Sequence, residues 1–273
     1  MGILPAKKLR HALLLLALAE SPIVLQMLRL DRSYLFFVFS LAWAMALYAF
    51  LEPPKRAAWL GLMVYVLTAV IAVPLLLAWL GPTQEIGQGE PAAHQLWSFI
   101  FGVGAREELS KAAALFLLLV VGRLSRLRFS SREGMLYGAM SGLAFAAAEN
   151  LEALRRLSHP EEVTQAHGMP TNATVAVALS RLALTPLAHA CWSATVGYAC
   201  TVPLRSGRWR LPAVSLALVT VIVLHGLYDE AASIGNRLGV GVLLALSFSL
   251  TLALLARPTT ETLVEGARPD AIA

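Results

Sequence analysis

Long apolar stretches separated by short basic or polar connections dominate the pattern of this chain of 273 residues. Apolar runs of roughly twenty residues are typical of transmembrane helices. The first apolar stretch, at about 11–28, follows a basic start and contains Pro22. This pattern predicts either a kinked first span or a signal peptide. Further spans are expected at about 34–51, 57–80, 96–121, 134–151, 175–202, 211–229 and 238–256.

The predicted fold class is all-α, a polytopic bundle of about eight transmembrane helices, or seven if the first segment is cleaved or interfacial. Composition agrees, because 58% of the residues are hydrophobic and only 14% are charged, whereas soluble domains carry nearer a quarter of charged residues. We expect a single transmembrane domain over 1–256, with its motif core at 97–230. A polar cytoplasmic tail is expected over 257–273.

The net charge of +5 lies mostly in short connections between apolar segments. Connections rich in Lys and Arg stay on the cytoplasmic side. Their alternation predicts a multi-pass protein of the cell membrane with both termini in the cytoplasm. The connections at 81–95, 152–174 and 230–237 then face outward. The partner indicated by this charge pattern is the lipid bilayer, and nucleic acid is not expected.

Ionisable residues inside the apolar segments mark a candidate site, because a charge in a bilayer is costly. Measured from the nearest basic connection, they all lie roughly 22–25 Å up their helices at 1.5 Å per residue, in the outward leaflet. Singly, each has a structural explanation, such as an ion pair, a helix end or a core histidine. Their common depth favours a site. The residues are Glu107, Glu108, Glu149, His189 and His225, with Asp229 one turn beyond His225.

These residue types suit hydrolysis. A carboxylate can act as general base on water, and histidine can donate to a developing oxyanion or a leaving amine. Carboxylate and imidazole can also hold a divalent metal with an open position for water. The residue types alone leave both arrangements open.

Four motifs in order carry a resemblance to the PrsW family of intramembrane proteases. They are Glu-Glu-Leu-Ser-Lys at 107–111, a segment ending in Glu-Asn at 142–150, the segment from Arg181 to Trp192 that contains His189, and His-Gly-Leu-Tyr-Asp at 225–229. The related superfamily of type II CAAX-prenyl endopeptidases and CPBP proteins has the patterns EExxxR, FxxxH and HxxxN. This chain departs from those patterns at Lys111, Glu149 and Asp229, which favours the PrsW branch.

The resemblance implies cleavage of a membrane-anchored protein, such as a single-span anti-sigma factor, on the outward side. Glu107 or Glu108 would activate the water while Lys111 or Arg106 holds the other glutamate. Glu149, His189 and His225 would complete the site. Asp229 would orient His225 or join the site directly, and Asn150 and Arg181 would support it.

Whether the enzyme uses a metal is left open by the resemblance. The family is labelled metalloprotease, and our hypothesis is that Glu149, His189 and His225 either bind a metal such as Zn²⁺ or polarise the scissile carbonyl. The CAAX relatives are argued to use a glutamate-activated water, and the chain has no HExxH motif.

Three alternatives compete with the protease interpretation. One is a CAAX- or CPBP-like membrane peptidase of the sister branch. Another is an ion-coupled transporter, which should carry polar residues at several depths, whereas the cytoplasmic halves of these segments are almost purely apolar. The last is an inactive scaffold that binds membrane partners, although every motif residue is present.

Overall fold

The computed structural model of the protein describes residues 35–51, 53, 55–74, 92–157, 171–202 and 210–257. Side chains are described for 40–51, 53, 55–74, 93–150, 184–202 and 211–257. The predicted first segment at about 11–28 and the predicted tail beyond 257 lie outside these residues.

Nearly all of the described residues are helical, and no strand occurs among them. This agrees with the predicted all-α class. In chain order the helices are α1 (Leu35–Leu51), α2 (Lys55–Leu67) followed by a π-helix (Thr68–Ala72), α3 (Ala92–Trp97) followed by a second π-helix (Ser98–Gly104), α4 (Ala105–Leu124), α5 (Ser131–Leu157), α6 (Thr171–Thr201), α7 (Arg210–Ser233) and α8 (Arg237–Leu255).

The helix limits broadly follow the apolar runs, and two of the differences bear on the site. Helix α5 continues to Leu157, past its predicted end near residue 151, so Glu149 lies inside the helix. The span predicted as one helix over 96–121 contains the π-helix Ser98–Gly104 directly before α4. Apolar periodicity does not reveal it, because a π-turn changes the hydrogen-bond register and leaves the composition apolar.

Large apolar side chains cover the outside of the helices. Leu124 is 79% exposed, Trp59 72% and Leu238 79%. Extensive exposed apolar surface indicates contact with a membrane or a partner. Three of the described helices are long and apolar enough to cross a membrane, namely Lys55–Ala72, Leu211–Ser233 and Arg237–Leu255.

The glycines spaced four apart on α5 form its contact with α6. A Cβ atom on Gly138 would lie 2.0 Å from the Ser193 carbonyl oxygen, and one on Gly142 would lie 2.2 Å from the His189 carbonyl oxygen. Any larger residue would therefore force the two backbones apart, which is the close packing that small residues permit between membrane helices. The contact fixes α5 directly beside His189.

A capping box begins α5 at the other end of this helix. The buried carboxylate of Glu133 accepts hydrogen bonds from the Ser130 backbone N–H at 2.8 Å and from the Ser130 hydroxyl at 3.0 Å. It also accepts one from Arg56 Nε at 3.2 Å, which joins α2 to α5. Glu133 lies about 24 Å along α5 from Glu149 at 1.5 Å per residue, so this cluster is structural and remote from the candidate site.

Candidate active site

Four helices bring ionisable side chains to one place. Helix α4 contributes Glu107, Glu108 and Lys111, α5 contributes Glu149, α6 contributes His189, and α7 contributes His225 and Asp229. All six residues predicted as catalytic therefore belong to one cluster.

A buried chain of contacts runs from Lys111 through Glu108 to His225. Lys111 Nζ lies 2.7 Å from Glu108 Oε1, and His225 Nδ1 lies 2.8 Å from the same oxygen. All three side chains are no more than 2% exposed. Since a buried charge is tolerated only when it is paired, Lys111 and Glu108 depend on each other. Lys111 follows Glu108 by one helical turn, which puts both on one face of α4.

The other nitrogen of His225 faces two further carboxylates. His225 Nε2 lies 3.3 Å from Asp229 Oδ2, one turn along α7, and 3.6 Å from Glu107 Oε2. Glu107 Oε2 is also 3.6 Å from Lys111 Nζ. His225 is thus held between α4 and its own helix.

The start of α4 reaches His225 because the preceding π-helix packs against α7 backbone to backbone. A Cβ atom on Gly226 would lie 2.6 Å from Ile100 Cα, and one on Gly104 would lie 2.9 Å from the Ile222 carbonyl oxygen. These glycines permit the close approach that brings Glu107 and Glu108 to the histidine.

His189 forms the second acid–imidazole contact of the site. Its Nε2 lies 3.1 Å from Glu149 Oε2. The ring of Phe145 stacks on the imidazole with centroids 5.8 Å apart. His189 Nδ1 is buried and has no hydrogen-bond partner among the described residues.

Aromatic rings form the floor of the cluster. The indole of Trp192 stacks on the imidazole of His225 with centroids 4.5 Å apart. Lys111 Nζ lies 4.5 Å from the centre of the Phe145 ring, within the range of a cation–π contact. Trp192 follows His189 by three residues on α6, so their spacing is compatible with a shared helix face. No role was predicted for Trp192 from the sequence, because an indole in an apolar segment is ordinarily a core residue.

Among the catalytic candidates, only three acidic side chains are partly exposed. The side chains of Glu107, Glu149 and Asp229 are 16%, 27% and 25% exposed. The site therefore opens on their side, while Glu108 and both histidines lie behind them.

The residues predicted to support the site differ in their location and contacts. Lys111 contacts both glutamates, whereas Arg106 is exposed. Asn150 is buried next to Glu149 in the chain. Arg181 lies on α6, but its side chain is outside the described residues.

Three ligand atoms of the site lie close enough to share a metal ion. One ligand atom from each of Glu107, His189 and His225 falls within 4.8 Å of the other two. The sequence placed Glu149 in this trio, and the structure has Glu107 there. Catalytic zinc typically has three protein ligands of these types and one open position.

Two further observations support the fit to a metal. Each histidine has one nitrogen beside a carboxylate outside the trio, Glu108 for His225 and Glu149 for His189, as is usual for metal-binding histidines. The buried Nδ1 of His189 has no hydrogen-bond partner among the described residues, so this nitrogen is available to bind a metal. The donor set therefore fits a divalent metal.

The fold and the site define a helical membrane protein whose buried carboxylate–histidine centre is suited to hydrolysis. The sequence matches the profile of the PrsW family intramembrane metalloproteases over residues 55–256. The chain belongs to this family, as its motifs predicted, and is a membrane peptidase. We find no match to it among curated proteins or among solved structures.

Proposed function

We propose that the protein is an endopeptidase of the cell membrane that cleaves membrane-anchored proteins near the outward side. The observation that carries this proposal is the meeting of three glutamates, two histidines and an aspartate from four helices at one buried, one-sided opening. Transport would need polar groups at several depths, and a scaffold would need no such costly cluster.

The proposed topology is multi-pass, with about eight spans and both termini in the cytoplasm. Its support is the alternation of basic connections along the sequence. The same alternation puts the site in the outward half of the membrane. The substrate class proposed is a single-span protein such as an anti-sigma factor, which rests on the resemblance to the family alone.

In the proposed site, Glu107, His189 and His225 hold a divalent metal, with Zn²⁺ as the ion. When bound, such an ion makes water a stronger nucleophile and polarises the scissile carbonyl. The sister-branch alternative, a water activated by glutamate without metal, would assign Glu107 the role of base.

The protein's own groups are proposed to divide the remaining work. Glu149, the most exposed of the acids, takes the proton of the water as its oxygen attacks the carbonyl carbon, and returns that proton to the amine nitrogen as the C–N bond breaks. Asp229 and Glu108 orient the ring of His225. Glu108 itself is a poor base, because Lys111 and His225 both occupy Oε1.

The test is cleavage of a single-span reporter protein by the purified enzyme in lipid nanodiscs. We expect Glu149→Gln to lower kcat by at least about a hundredfold, the range of a lost general base, while the bound metal stays near one equivalent. Glu107→Gln should lose both the metal and the activity. Glu230→Gln is the matched control, because Glu230 follows Asp229 on α7 but points to another side of the helix.

A metal measurement separates the two mechanisms. A chelator should abolish activity, and Zn²⁺ should restore it. Full activity in metal-free enzyme would replace the metal mechanism with glutamate-activated water. Full activity in both Glu107→Gln and Glu149→Gln would overturn the protease site itself.

A further inference from the structure

Helix α8 faces outward along almost its whole length, with one exception. Of its most apolar stretch only 6% is buried, and Ser247 is its single buried residue, 2% exposed. At a buried position of an otherwise exposed apolar helix, an apolar side chain would cost less than a hydroxyl that lacks a hydrogen-bond partner. The buried hydroxyl therefore indicates a specific polar partner.

That partner is Trp192 in the floor of the site. Trp192 Nε1 donates a hydrogen bond to Ser247 Oγ at 2.9 Å, and Ser247 Oγ donates in turn to the Leu243 carbonyl oxygen at 2.8 Å. Thr251, one turn further along α8, donates to the Cys191 carbonyl oxygen at 3.3 Å. Helix α8 is thus attached to α6 by polar contacts at the residue that packs on His225.

Trp192 has one indole N–H, and its direction sets the plane of the ring. The ring lies 22° from the plane of the His225 imidazole, and it also contacts His189 and Tyr228 at centroid distances of 5.4 and 5.7 Å. Without the bond to Ser247, the indole could rotate about its side-chain torsions, and the imidazole would lose its fixed support.

We propose that Trp192 and Ser247 form a positioning pair that fixes the imidazole of His225 in its working orientation. The pair rests on the proposed function, since it acts through His225. Neither residue belongs to the motifs' ionisable set, and Ser247 lies beyond the predicted motif core at 97–230. Through this pair, α8 helps to position the imidazole of His225.

The experiment removes the hydrogen bond between Trp192 and Ser247 by changing the donor in one variant and the acceptor in another. Trp192→Phe keeps an aromatic ring against His225 but has no N–H, and Ser247→Ala has no acceptor. We expect each to lower kcat roughly tenfold, as for partners that orient a ligand or catalytic group, with KM changed less than about twofold. The double variant should be no worse than the more impaired single variant, because both remove one bond. Ser247→Thr keeps the hydroxyl and should retain kcat.

A spectroscopic measurement reports on the imidazole without any turnover. In protein with nitrogen-labelled histidine, the ring resonances lost in His225→Gln are those of His225. We expect these to shift in Ser247→Ala, while the resonances of exposed His94 stay fixed. Thr220→Ala is the control for loss of a helix hydroxyl, because Thr220 Oγ1 donates to Leu216 on its own helix.

The outcomes distinguish the pair from the proposed function. Wild-type kcat and unshifted His225 resonances in Ser247→Ala overturn the pair, even if Trp192→Phe fails to fold. Additive losses in the double variant overturn it as well. If Glu149→Gln and Glu107→Gln are both fully active, the proposed function fails instead, whatever the pair variants do.

Discussion

At the scale of single residues, Lys111 is the charge on which the buried acids depend. It contacts Glu108 at 2.7 Å and Glu107 at 3.6 Å, and the Phe145 ring covers its ammonium group. An ammonium group 1% exposed is held only by such partners. Removing it would leave two carboxylates facing apolar surroundings.

We expect Lys111→Met to destabilise the protein by about 3–5 kcal/mol, the usual cost of breaking a buried ion pair from one side. Adding Glu108→Gln to this variant should recover much of the stability without recovering activity. Unfolding in mixed detergent micelles measures the first effect, and the cleavage assay measures the second. A single variant as stable as the wild type would show that Lys111 is not the balancing charge.

The ionisable residues of the site could be predicted from the sequence, because each lies at a similar depth in a separate apolar segment. The grouping of a ligand atom of Glu107, rather than one of Glu149, with those of the two histidines could not. That grouping depends on the rotation of α4 and α5 and on side-chain torsions, which spacing along the chain does not determine. The same holds for Trp192, whose contacts come from two other helices, α7 and α8.

At the scale of helices, the contact between α5 and α6 is limited by backbone atoms. A methyl group at Gly142 would lie 2.2 Å from the carbonyl oxygen of His189, so it would move the histidine itself. We expect Gly142→Ala to cost about 1–3 kcal/mol, as overpacking does, and to lower activity. Gly241→Ala on α8 is the control.

No atom lies within 4 Å of a Cβ built at Gly241. That variant should be neutral or up to about 1 kcal/mol more stable, since alanine favours helix over glycine. Thermal unfolding of both variants measures the difference. Equal stabilities of the two variants would contradict a backbone-limited contact between α5 and α6 at Gly142.

Glycines spaced four apart in a membrane helix favour close contact with a neighbouring helix, because small residues let two backbones approach. The sequence did not indicate which helix would receive the face. It also did not indicate the π-helix Ser98–Gly104, whose effect appears only in the close approach of Ile100 to Gly226.

At the scale of the whole molecule, the proposed topology can be tested at two turns. Leu127 lies between α4 and α5, and Ile234 lies between α7 and α8; they are 40% and 63% exposed. In intact cells, a membrane-impermeant maleimide should label Ile234→Cys and not Leu127→Cys. The wild-type protein controls for labelling of its own free cysteines, Cys191 and Cys200. The reverse labelling would invert the topology and move the site to the cytoplasmic half.

The lysine–glutamate contacts within α4 also bear on how the protein is made. Helix α4 precedes α6 and α7 in the chain, so if the helices insert as they are synthesised, α4 meets the membrane before His189 and His225 are made. A charged residue in an inserting helix is costly, by up to about 2.5–3.5 kcal/mol at the helix centre. Because Lys111 lies one turn from both glutamates, α4 can carry its acids into the bilayer partly neutralised by its own residue, and the same contacts remain in the finished site.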